Sequence, residues 1–309
     1  MAEPFSFYVM GDIAYKQAEK DLLEDQIRDI KVMHEAGLDD YGDVSKGMFM
    51  IHLGDIFTTA RAYSANCPMS EYVAISDIML DNSPIPTFVL PGDNDWTDCP
   101  NSTVAWDHWS TNFFLYERNW NKENEIPSLT IRMRDRPENF KFELERVLFL
   151  GLNLIGGSRN ELNKVEWDGR IKDCYDWAEE QVGAYLRSEG PMRAVIIFGH
   201  ARKGRSIFKM LEDYLLPAAV PLLYIHGNGH SWYVEQPSAP EWEGYWNVQV
   251  DQGANAPPVR VTVNGERRVD LNKPFSAEGE DQFVFRDFIK IDRRGGLYDW
   301  AKSDIKELP

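Results

Sequence analysis

Short apolar runs recur along the chain and are separated, in its first two thirds, by stretches with a helical period. A short apolar run bounded by turn-forming residues is typical of a buried strand. In one of the helical stretches, Leu23, Ile27 and Ile30 share a face with His34. The pattern predicts strands over 5–11, 48–53, 86–90, 141–155, 193–198, 221–226, 245–250, 258–263 and 283–291, and helices over 17–36, 104–118, 173–187 and 205–215.

The alternation of strands with helices favours a mostly parallel sheet whose faces are covered by helices. The last of these helices is expected to begin near Ser206, whose hydroxyl suits an N-cap. From about residue 245 onward the pattern changes to strands joined by turns, with Asn264-Gly265 as a hairpin signal. No internal repeat or linker interrupts the sequence, so residues 1–309 are expected to form one α/β domain.

The balance of charges limits the partners. Lys and Arg total 33 against 50 Asp and Glu, a net charge of −17, and nucleic acid would be repelled by so acidic a protein. No run of eighteen apolar residues is present, so the sequence predicts no membrane insertion. The start of the chain lacks a signal-peptide pattern, which leaves open a cytoplasmic protein and a secreted one with a trimmed leader.

Three cysteines, Cys67, Cys99 and Cys174, are widely spaced in the sequence. None forms a Cys-x-x-Cys pair, which argues against a thiolate zinc site or a redox motif. Cys67 and Cys99 lie in polar loops, and a disulfide between them is expected only if the protein is secreted.

Polar side chains follow five of the apolar runs at the point where each run ends. In open α/β sheets, ligands bind beyond the carboxyl ends of the strands, and a glycine before a polar residue allows a sharp turn. Carboxylates and imidazoles that meet there would repel one another or stay unsatisfied unless cations neutralise them. The five strand ends read Gly11-Asp12, Gly54-Asp55, Gly92-Asp93-Asn94-Asp95, Gly199-His200 and, in the run from Tyr224, Asn228-Gly229-His230.

Each strand end alone has an ordinary structural explanation. A Gly-Asp pair after a strand is usually a turn, and Asp55 alone is as well explained as a helix N-cap. His200 alone would more often be a hydrogen-bonded histidine than a metal ligand. Five such ends in order favour a metal site, and oxygen and imidazole donors without thiolates suit Mn, Fe, Zn or Mg.

The order of these motifs resembles the calcineurin-like metallophosphoesterases, the superfamily that contains the purple acid phosphatases. Its motifs run DxH, GDxxD, GNH followed by Asp or Glu, GH and GHxH, and the matching positions here span residues 12 to 230. The resemblance implies a four-layer α/β/β/α sandwich with two divalent metal ions at the strand ends. It also implies hydrolysis of phosphate esters by a water that the two ions activate.

The residues at the family's metal-ligand positions match in part and differ in part in this sequence. Asp12 matches the first aspartate of the family, while Ala14 stands where the family has a histidine. Asp55 matches the aspartate that bridges both metals, and Thr58 replaces the second aspartate of GDxxD. His200 matches the histidine of GH.

The third and fifth motifs are altered as well. Without a gap, Asp93 takes the place of the ligating asparagine and Asn94 that of the catalytic histidine; with one inserted residue, Asn94 is the ligand and Asp95 replaces the histidine. Both registers stay open. In the last motif Asn228 replaces the first histidine and His230 keeps the second. The resemblance therefore implies one metal held by Asp12, Asp55 and His230, and another held by Asp55, Asp93 or Asn94, His200 and Asn228.

Further residues near the motifs are candidates for binding substrate. Tyr15 would line the space left by the missing histidine or simply pack there, and Arg202, with Lys203 and Arg205, would hold a phosphate or form a solvated loop. Arg159 would reach the pocket from another strand end, together with Asn153. Phe57, Trp96 and Trp232 would form an aromatic rim or belong to the core, and His52 and His226, inside apolar runs, are expected to do no chemistry.

These observations predict a metal-dependent phosphatase acting on a small phosphorylated substrate. With two imidazoles fewer than the family, the site is expected to bind Zn more weakly and to tolerate Mn or Mg better. Neither Asn94 nor an ordinary Asp95 is a good general acid, so aryl phosphates are the favoured substrates. The alternatives are a phosphodiesterase and a catalytically degenerate protein that keeps the fold for binding. The oligomeric state stays open.

Overall fold

The fold contains two seven-stranded sheets, and the strand ends with the candidate ligands lie at one edge of the pair. The computed structural model describes residues 4–37, 46–121, 124–156, 164–188, 192–236, 244–264, 276–277, 282–285, 288–294, 298–299 and 304–305. The first sheet has the order β12 (Ser276–Ala277), β13 (Gln282–Phe285), β14 (Ile289–Asp292), β11 (Val259–Val263), β1 (Phe5–Met10), β2 (Lys46–His52) and β3 (Thr87–Val89). The second has the order β4 (Ile131–Arg132), β5 (Phe140–Leu144), β6 (Val147–Gly151), β7 (Ala194–Gly199), β8 (Leu222–His226), β10 (Tyr245–Gln249) and β9 (Tyr233–Glu235). A small antiparallel pair joins β15 (Tyr298–Asp299) to β16 (Asp304–Ile305).

The strands that precede the candidate ligands are parallel within each sheet. Strands β1, β2 and β3 run parallel, as do β6, β7, β8 and β10. On their other sides, β1 pairs antiparallel with β11, and β10 pairs antiparallel with β9. Parallel neighbours end at the same edge of a sheet, which is why residues far apart in sequence meet there.

Helices cover the outer face of each sheet. Helices α1 (Gln17–Ala36), α2 (Thr59–Ala65), α3 (Met69–Asn82) and α4 (Ser102–Phe113) follow strands of the first sheet, and a 3₁₀ turn (Tyr116–Trp120) and α5 (Ile126–Leu129) come next. Helices α6 (Lys164–Leu186) and α7 (Gly204–Ala218) pack on the second sheet. None of the helices in the described parts of the chain is both long and apolar enough to cross a membrane.

The core between the sheets is rich in phenylalanine. The rings of Phe7 and Phe49 stack with centroids 4.9 Å apart, and Phe149 of the opposite sheet meets Phe7 edge to face at 5.5 Å. Such aromatic pairs contribute about 1 kcal/mol each beyond the area they bury. Two further apolar clusters lie between each sheet and its helices. The four-layer α/β/β/α arrangement implied by the motifs is therefore confirmed.

Several predicted boundaries were wrong for local reasons. The predicted strand 141–155 is a hairpin of β5 and β6, because Glu145 and Arg146 adopt positive φ angles of 48° and 62° and reverse the chain. The predicted strand 283–291 is likewise two antiparallel strands, β13 and β14.

Helix boundaries differ as well. Helix α6 starts at Lys164, well before the predicted residue 173, and α4 ends at Phe113, where a 3₁₀ turn replaces the predicted continuation. Helix α7 begins at Gly204 with Lys203 at the N-cap position, so Ser206 lies inside the helix and does not cap it. Residue Gly265 of the predicted hairpin lies outside the described residues.

Candidate metal centre

The predicted ligands meet where the carboxyl ends of the two sheets adjoin. Asp12 follows β1, Asp55 follows β2, His200 follows β7 and Asn228 follows β8. The Asn228 backbone N–H donates to Asp12 Oδ2 at 3.0 Å, and the Asp12 N–H donates to the Gly54 carbonyl at 2.9 Å. These bonds connect three strand ends from both sheets directly.

Asp12, Asp55 and His200 form the closest set of potential ligands. One donor atom from each lies within 4.8 Å of the other two. All three side chains are buried, with no more than 1% of each residue exposed. Two carboxylates and an imidazole at this separation are suited to a divalent cation.

Unusual backbone conformations aim several of these side chains. Asp12, Asp55, Asn228 and His230 have φ angles of 56°, 58°, 62° and 60°, in the left-handed region that non-glycine residues rarely adopt. Such conformations cost energy and persist where surrounding contacts fix them. Close approach explains the glycine of the third motif, because a Cβ atom on Gly92 would lie 2.0 Å from Asp55 Oδ1.

Asp55, Asp93 and His200 form what we call the inner group. His200 Nε2 lies 2.8 Å from Asp93 Oδ1 and 3.4 Å from Asp55 Oδ1. His200 Nδ1 donates to the Leu53 carbonyl at 2.9 Å, so Nε2 is an acceptor when the ring is neutral and a second donor when the ring is protonated. Among the described residues, Nε2 and Asp93 Oδ1 are buried without a well-aligned hydrogen bond. Acceptor atoms facing one another fit a shared cation.

The electrostatics of the inner group agree with that geometry. Burial alone would lower the pKa of His200, but the carboxylates of Asp55 and Asp93 hold this pKa well above its usual value. Burial raises the pKa of Asp55 well above the usual range, and the nearby Asp93 carboxylate adds to the effect. The group therefore needs positive charge among its oxygens, which either a proton on His200 or a metal cation provides.

Asp95 and Asn94 support the inner group from behind. Asp95 accepts hydrogen bonds from the backbone N–H groups of Asp55 at 2.8 Å, Ile56 at 2.7 Å and Gly92 at 3.0 Å. Burial raises the pKa of Asp95 to about 6, although those three N–H groups lower it. Its carboxylate is thus bound to the turn that carries Asp55.

Asn94 is bonded on both sides of its amide. Its Nδ2 donates to Asp55 Oδ2 at 2.8 Å and to the Phe57 carbonyl at 3.0 Å, and its Oδ1 accepts from the Thr59 hydroxyl at 2.9 Å. The catalytic roles predicted for Asn94 and Asp95 stay predictions, and both side chains are placed among structural hydrogen bonds.

A disulfide joins the loop of the third motif to the end of α2. Cys67 and Cys99 are bonded, with their Cα atoms 6.0 Å apart. The sequence had left this pairing open. His52, at the end of β2, adds a further support, because its Nδ1 accepts from the Gly54 N–H at 3.2 Å. Both contacts fix the segments that carry Asp55 and Asp93.

Asp12, Tyr15 and His230 form what we call the outer group. His230 Nε2 lies 3.1 Å from Asp12 Oδ1 and 3.3 Å from the Tyr15 hydroxyl, which in turn lies 3.4 Å from Asp12 Oδ1. The hydrogen bond to Asp12 raises the pKa of His230. Burial, followed by the charge of Asp12, raises the pKa of Tyr15 far above its usual range, so the phenol stays protonated. Ala14 is buried beside it.

The Asn228 side chain lies near Asp93 of the inner group. A Cβ atom on Gly156 would be 2.1 Å from Asn228 Nδ2 and 3.3 Å from Asp93 Oδ1, so both side chains border the space that a side chain at position 156 would occupy. The absence of a side chain at Gly156 is the signal that the site lies next to it.

The remaining candidates lie elsewhere or are engaged in packing. Arg202 forms an ion pair with Glu235 at 2.9 Å, and Arg159 lies outside the described residues. Asn153 donates to Glu138 at 3.1 Å, away from the inner and outer groups. The side chains predicted either as a rim or as core make core contacts: Phe57 with Tyr72, Trp96 with Arg170 and Trp232 with Phe283.

No protein-family model matches the sequence, and no curated protein matches it. Among solved structures, the fold is similar to the 5'-nucleotidase from Candida albicans SC5314, with a TM-score of 0.52 and 14% identity, over 94% of this chain and 51% of that one. It is also similar to GAP50, described as the anchor in the inner membrane complex of Plasmodium, with a TM-score of 0.45 and 14% identity, over 85% of each chain. The chain thus spans about half of the nucleotidase. At this identity the likeness shows the fold alone: the chain has a metallophosphoesterase-type fold.

Proposed function

We propose that this protein is a metal-dependent hydrolase of phosphate esters, with phosphomonoesters as its main substrates. The observation that carries the proposal is the buried set of Asp12, Asp55 and His200, whose donor atoms lie within 4.8 Å of one another at the strand ends. The contact between His200 Nε2 and Asp93 Oδ1 supports it, because these atoms lie 2.8 Å apart without a well-aligned hydrogen bond among the described residues. A divalent cation bound by both atoms would satisfy them.

The inner group would hold one divalent ion through Asp55, Asp93, His200 and Asn228. Asp93 fits better than Asn94, because the Asn94 amide already donates to Asp55 and its carbonyl accepts from Thr59. Asp12, Asp55 and His230 would hold a second ion in the outer group.

Divalent ions bound there would polarise the phosphoryl oxygens and lower the pKa of an attacking water. The chain itself supplies position and charge. Asp95 orients the turn of Asp55 through three backbone N–H groups and is therefore a positioning residue. Tyr15, held protonated, has one O–H that can donate to Asp12, to His230 or to a bound oxygen. Because Asn94 has no acidic proton, the reaction should favour leaving groups that need little protonation, such as phenolates.

The test is hydrolysis of p-nitrophenyl phosphate by the chelator-treated protein after addition of Mn, Mg, Zn, Fe or Ca. We expect activity that requires a metal, is lost in Asp55→Asn and is kept in Asp107→Asn, which makes the same change at an exposed site on α4. Alkyl phosphates should react more slowly than the aryl ester. If neither p-nitrophenyl phosphate nor bis-p-nitrophenyl phosphate is hydrolysed with any of these metals, the proposal of a hydrolase is refuted.

A binding protein without catalysis is the second candidate. The outer group favours it, because Asp12, Tyr15 and His230 contact one another in the place where the family has an additional histidine. Metal binding by the wild-type protein without turnover of any ester would establish this alternative.

A further inference from the structure

A groove opens beside the first turn of α7. It has a volume of about 310 Å³ and is lined by Arg202, Lys203, Arg205, Phe208, Glu235 and Asn247, with Ser206 at its edge. None of these residues belongs to the inner or outer group. Its size is within the range of sites for small organic ligands.

The groove is basic although the protein is acidic. Arg202 is neutralised by Glu235 at 2.9 Å. Lys203 and Arg205 form no ion pair with a carboxylate in the described parts of the chain, and the Lys203 ammonium lies 5.0 Å from the centre of the Trp167 ring. The groove thus has three basic side chains against the one carboxylate of Glu235, and on a protein of net charge −17 this local surplus favours an anion.

The backbone of α7 adds to this preference. Helix α7 is 15 residues long, and Lys203 at its N-cap position makes no side-chain capping hydrogen bond. The first N–H groups of a helix lack intrahelical partners and carry partial positive charge, which favours phosphate and carboxylate groups.

A buried acceptor in the wall of the groove indicates what else the ligand carries. Asn247 is 3% exposed, and its Nδ2 donates to the Tyr233 hydroxyl at 3.2 Å and to Glu235 at 3.3 Å. Its Oδ1 has no hydrogen-bond partner among the described residues. That oxygen faces the start of α7, since a Cβ atom on Gly204 would lie 2.7 Å from it. An O–H or N–H donor of a ligand would satisfy it.

We propose that this groove binds a phosphate-bearing small molecule, separately from the metal centre and without need of a metal. The side chains of Lys203 and Arg205 and the backbone N–H groups of Gly204 and Arg205 hold the phosphate oxygens, while the Ser206 N–H already donates to the Lys203 carbonyl at 3.0 Å. Asn247 Oδ1 accepts a hydrogen bond from a hydroxyl of the ligand, which is either the P–OH of hydrogen phosphate or a hydroxyl of an esterified sugar.

The experiment is isothermal titration calorimetry on chelator-treated protein with inorganic phosphate, adenosine monophosphate and sulfate. Phosphate keeps an O–H near neutral pH and sulfate keeps none, so we expect phosphate to bind about tenfold more tightly than sulfate. Tighter binding of adenosine monophosphate identifies an esterified phosphate as the ligand, and equal or weaker binding identifies free phosphate. The double variant Lys203→Gln, Arg205→Gln should lose at least about tenfold in phosphate affinity.

Two control variants locate the site. Lys209→Gln removes one charge from an exposed position of the same helix and should leave phosphate affinity unchanged. Asp55→Asn alters the metal centre and should also leave it unchanged. Asn247→Ala should abolish the preference for phosphate over sulfate, with thermal unfolding as the check on its fold.

Three results would overturn the proposal: no binding of either phosphate compound, an equal loss in Lys209→Gln, or loss of binding in Asp55→Asn. The titration uses metal-free protein and involves no turnover. If the proposed hydrolase activity is not found, the phosphate-binding result is therefore unaffected, and if the groove does not bind phosphate, the hydrolase proposal is unaffected.

Discussion

The inner and outer groups lie at the same edge of the two sheets but are built differently. His200 of the inner group is fully buried, whereas the side chain of His230 in the outer group is 45% exposed. The inner group is fixed by hydrogen bonds from behind, and at its centre His200 Nε2 and Asp93 Oδ1 lie 2.8 Å apart without a well-aligned hydrogen bond among the described residues. The outer group instead satisfies its own polar atoms through Tyr15. The inner group thus has buried atoms that a cation would satisfy, whereas the polar atoms of the outer group contact one another.

The sequence contains the cause of this difference. Ala14 removes the imidazole that the motif resemblance implies, and the neighbouring Tyr15 brings its hydroxyl between Asp12 and His230. Compared with the ligand set that the motif resemblance implies, the inner group lost fewer donor atoms, because Asp93 and Asn228 still offer oxygen atoms. We therefore expect perturbations of the inner group's supports to have large effects and perturbations of the outer group to have small ones.

The largest effect is expected at Asp95. In Asp95→Ala the backbone N–H groups of Asp55, Ile56 and Gly92 lose their acceptor in a buried place. A buried unpaired donor costs roughly 1–3 kcal/mol and three donors are affected, so the free energy of unfolding should fall by about 6 kcal/mol. Equilibrium unfolding in guanidinium chloride measures this change.

Asp95→Asn provides the control for that variant. It keeps the size of the side chain and one acceptor oxygen, so it should lose less stability than Asp95→Ala. If the two variants were equally stable, or if Asp95→Ala resembled the wild type, Asp95 would not support the inner group.

The disulfide should rank next. Cys67 and Cys99 are 32 residues apart in sequence, and closing a loop of that length is worth about 4 kcal/mol in the chain-entropy description. Cys67→Ser, Cys99→Ser should lose about that much stability and should bind Mn²⁺ more weakly, since the bond holds the loop of Asp93. Denaturant unfolding and metal titration measure the two effects.

A reducing agent tests the same bond without mutation. It should destabilise the wild type and leave the double variant unchanged. Equal unfolding curves of the wild type with and without reductant would show that the bond is absent or contributes nothing.

Hydrophobic periodicity and Gly-polar pairs after apolar runs were sufficient for the helix-covered parallel strands and for their polar ends, whereas the four layers were expected only because the motifs resemble those of a known family. Helix α1 was predicted with its bounds, since its buried face repeats every three to four residues. Helix α3 was missed although Tyr72, Ile75, Ser76 and Met79 are its buried positions. The same period was present there, with a serine among the apolar residues.

The supports of the inner group could not be predicted in the same way. The bond from His200 to the Leu53 carbonyl connects residues 147 positions apart, and no local pattern signals it. The turn at Glu145 and Arg146 uses charged residues in the left-handed region, where glycine or asparagine is the usual sign. Roles such as that of Asp95 depend on which way a side chain points, and only the fold determines that.

His52 offers a pH test of the inner group's support. Burial lowers the pKa of His52 from 6.5 to about 4. The unfolded chain therefore binds a proton that the folded protein does not, between about pH 6.5 and 4. Stability should be fully present above that range and should fall by roughly 3 kcal/mol as the pH is lowered through it.

The control is His52→Asn, whose Oδ1 can replace Nδ1 as the acceptor for the Gly54 N–H. The variant should show a flatter pH dependence of unfolding over the same range. A remaining slope is expected, because burial also lowers the pKa of His226 to about 4. An unchanged slope in His52→Asn would mean that His52 does not take part in the acid response.

The comparison of the two groups is tested directly by their histidines. His200→Ala removes a buried candidate ligand whose ring is oriented by the bond to the Leu53 carbonyl, and it should lower Mn²⁺ affinity by at least about 100-fold. His230→Ala removes a half-exposed side chain from a group that already satisfies itself, so its effect should stay near or below tenfold. Titration calorimetry with Mn²⁺ measures both, and circular dichroism verifies that each variant is folded.

Tyr15→Phe should bind Mn²⁺ more tightly than the wild type, because removing the hydroxyl that contacts Asp12 and His230 frees both for a cation. Equal losses of Mn²⁺ affinity in the two histidine variants, or weaker Mn²⁺ binding by Tyr15→Phe than by the wild type, would show that the outer group binds metal as the inner group does.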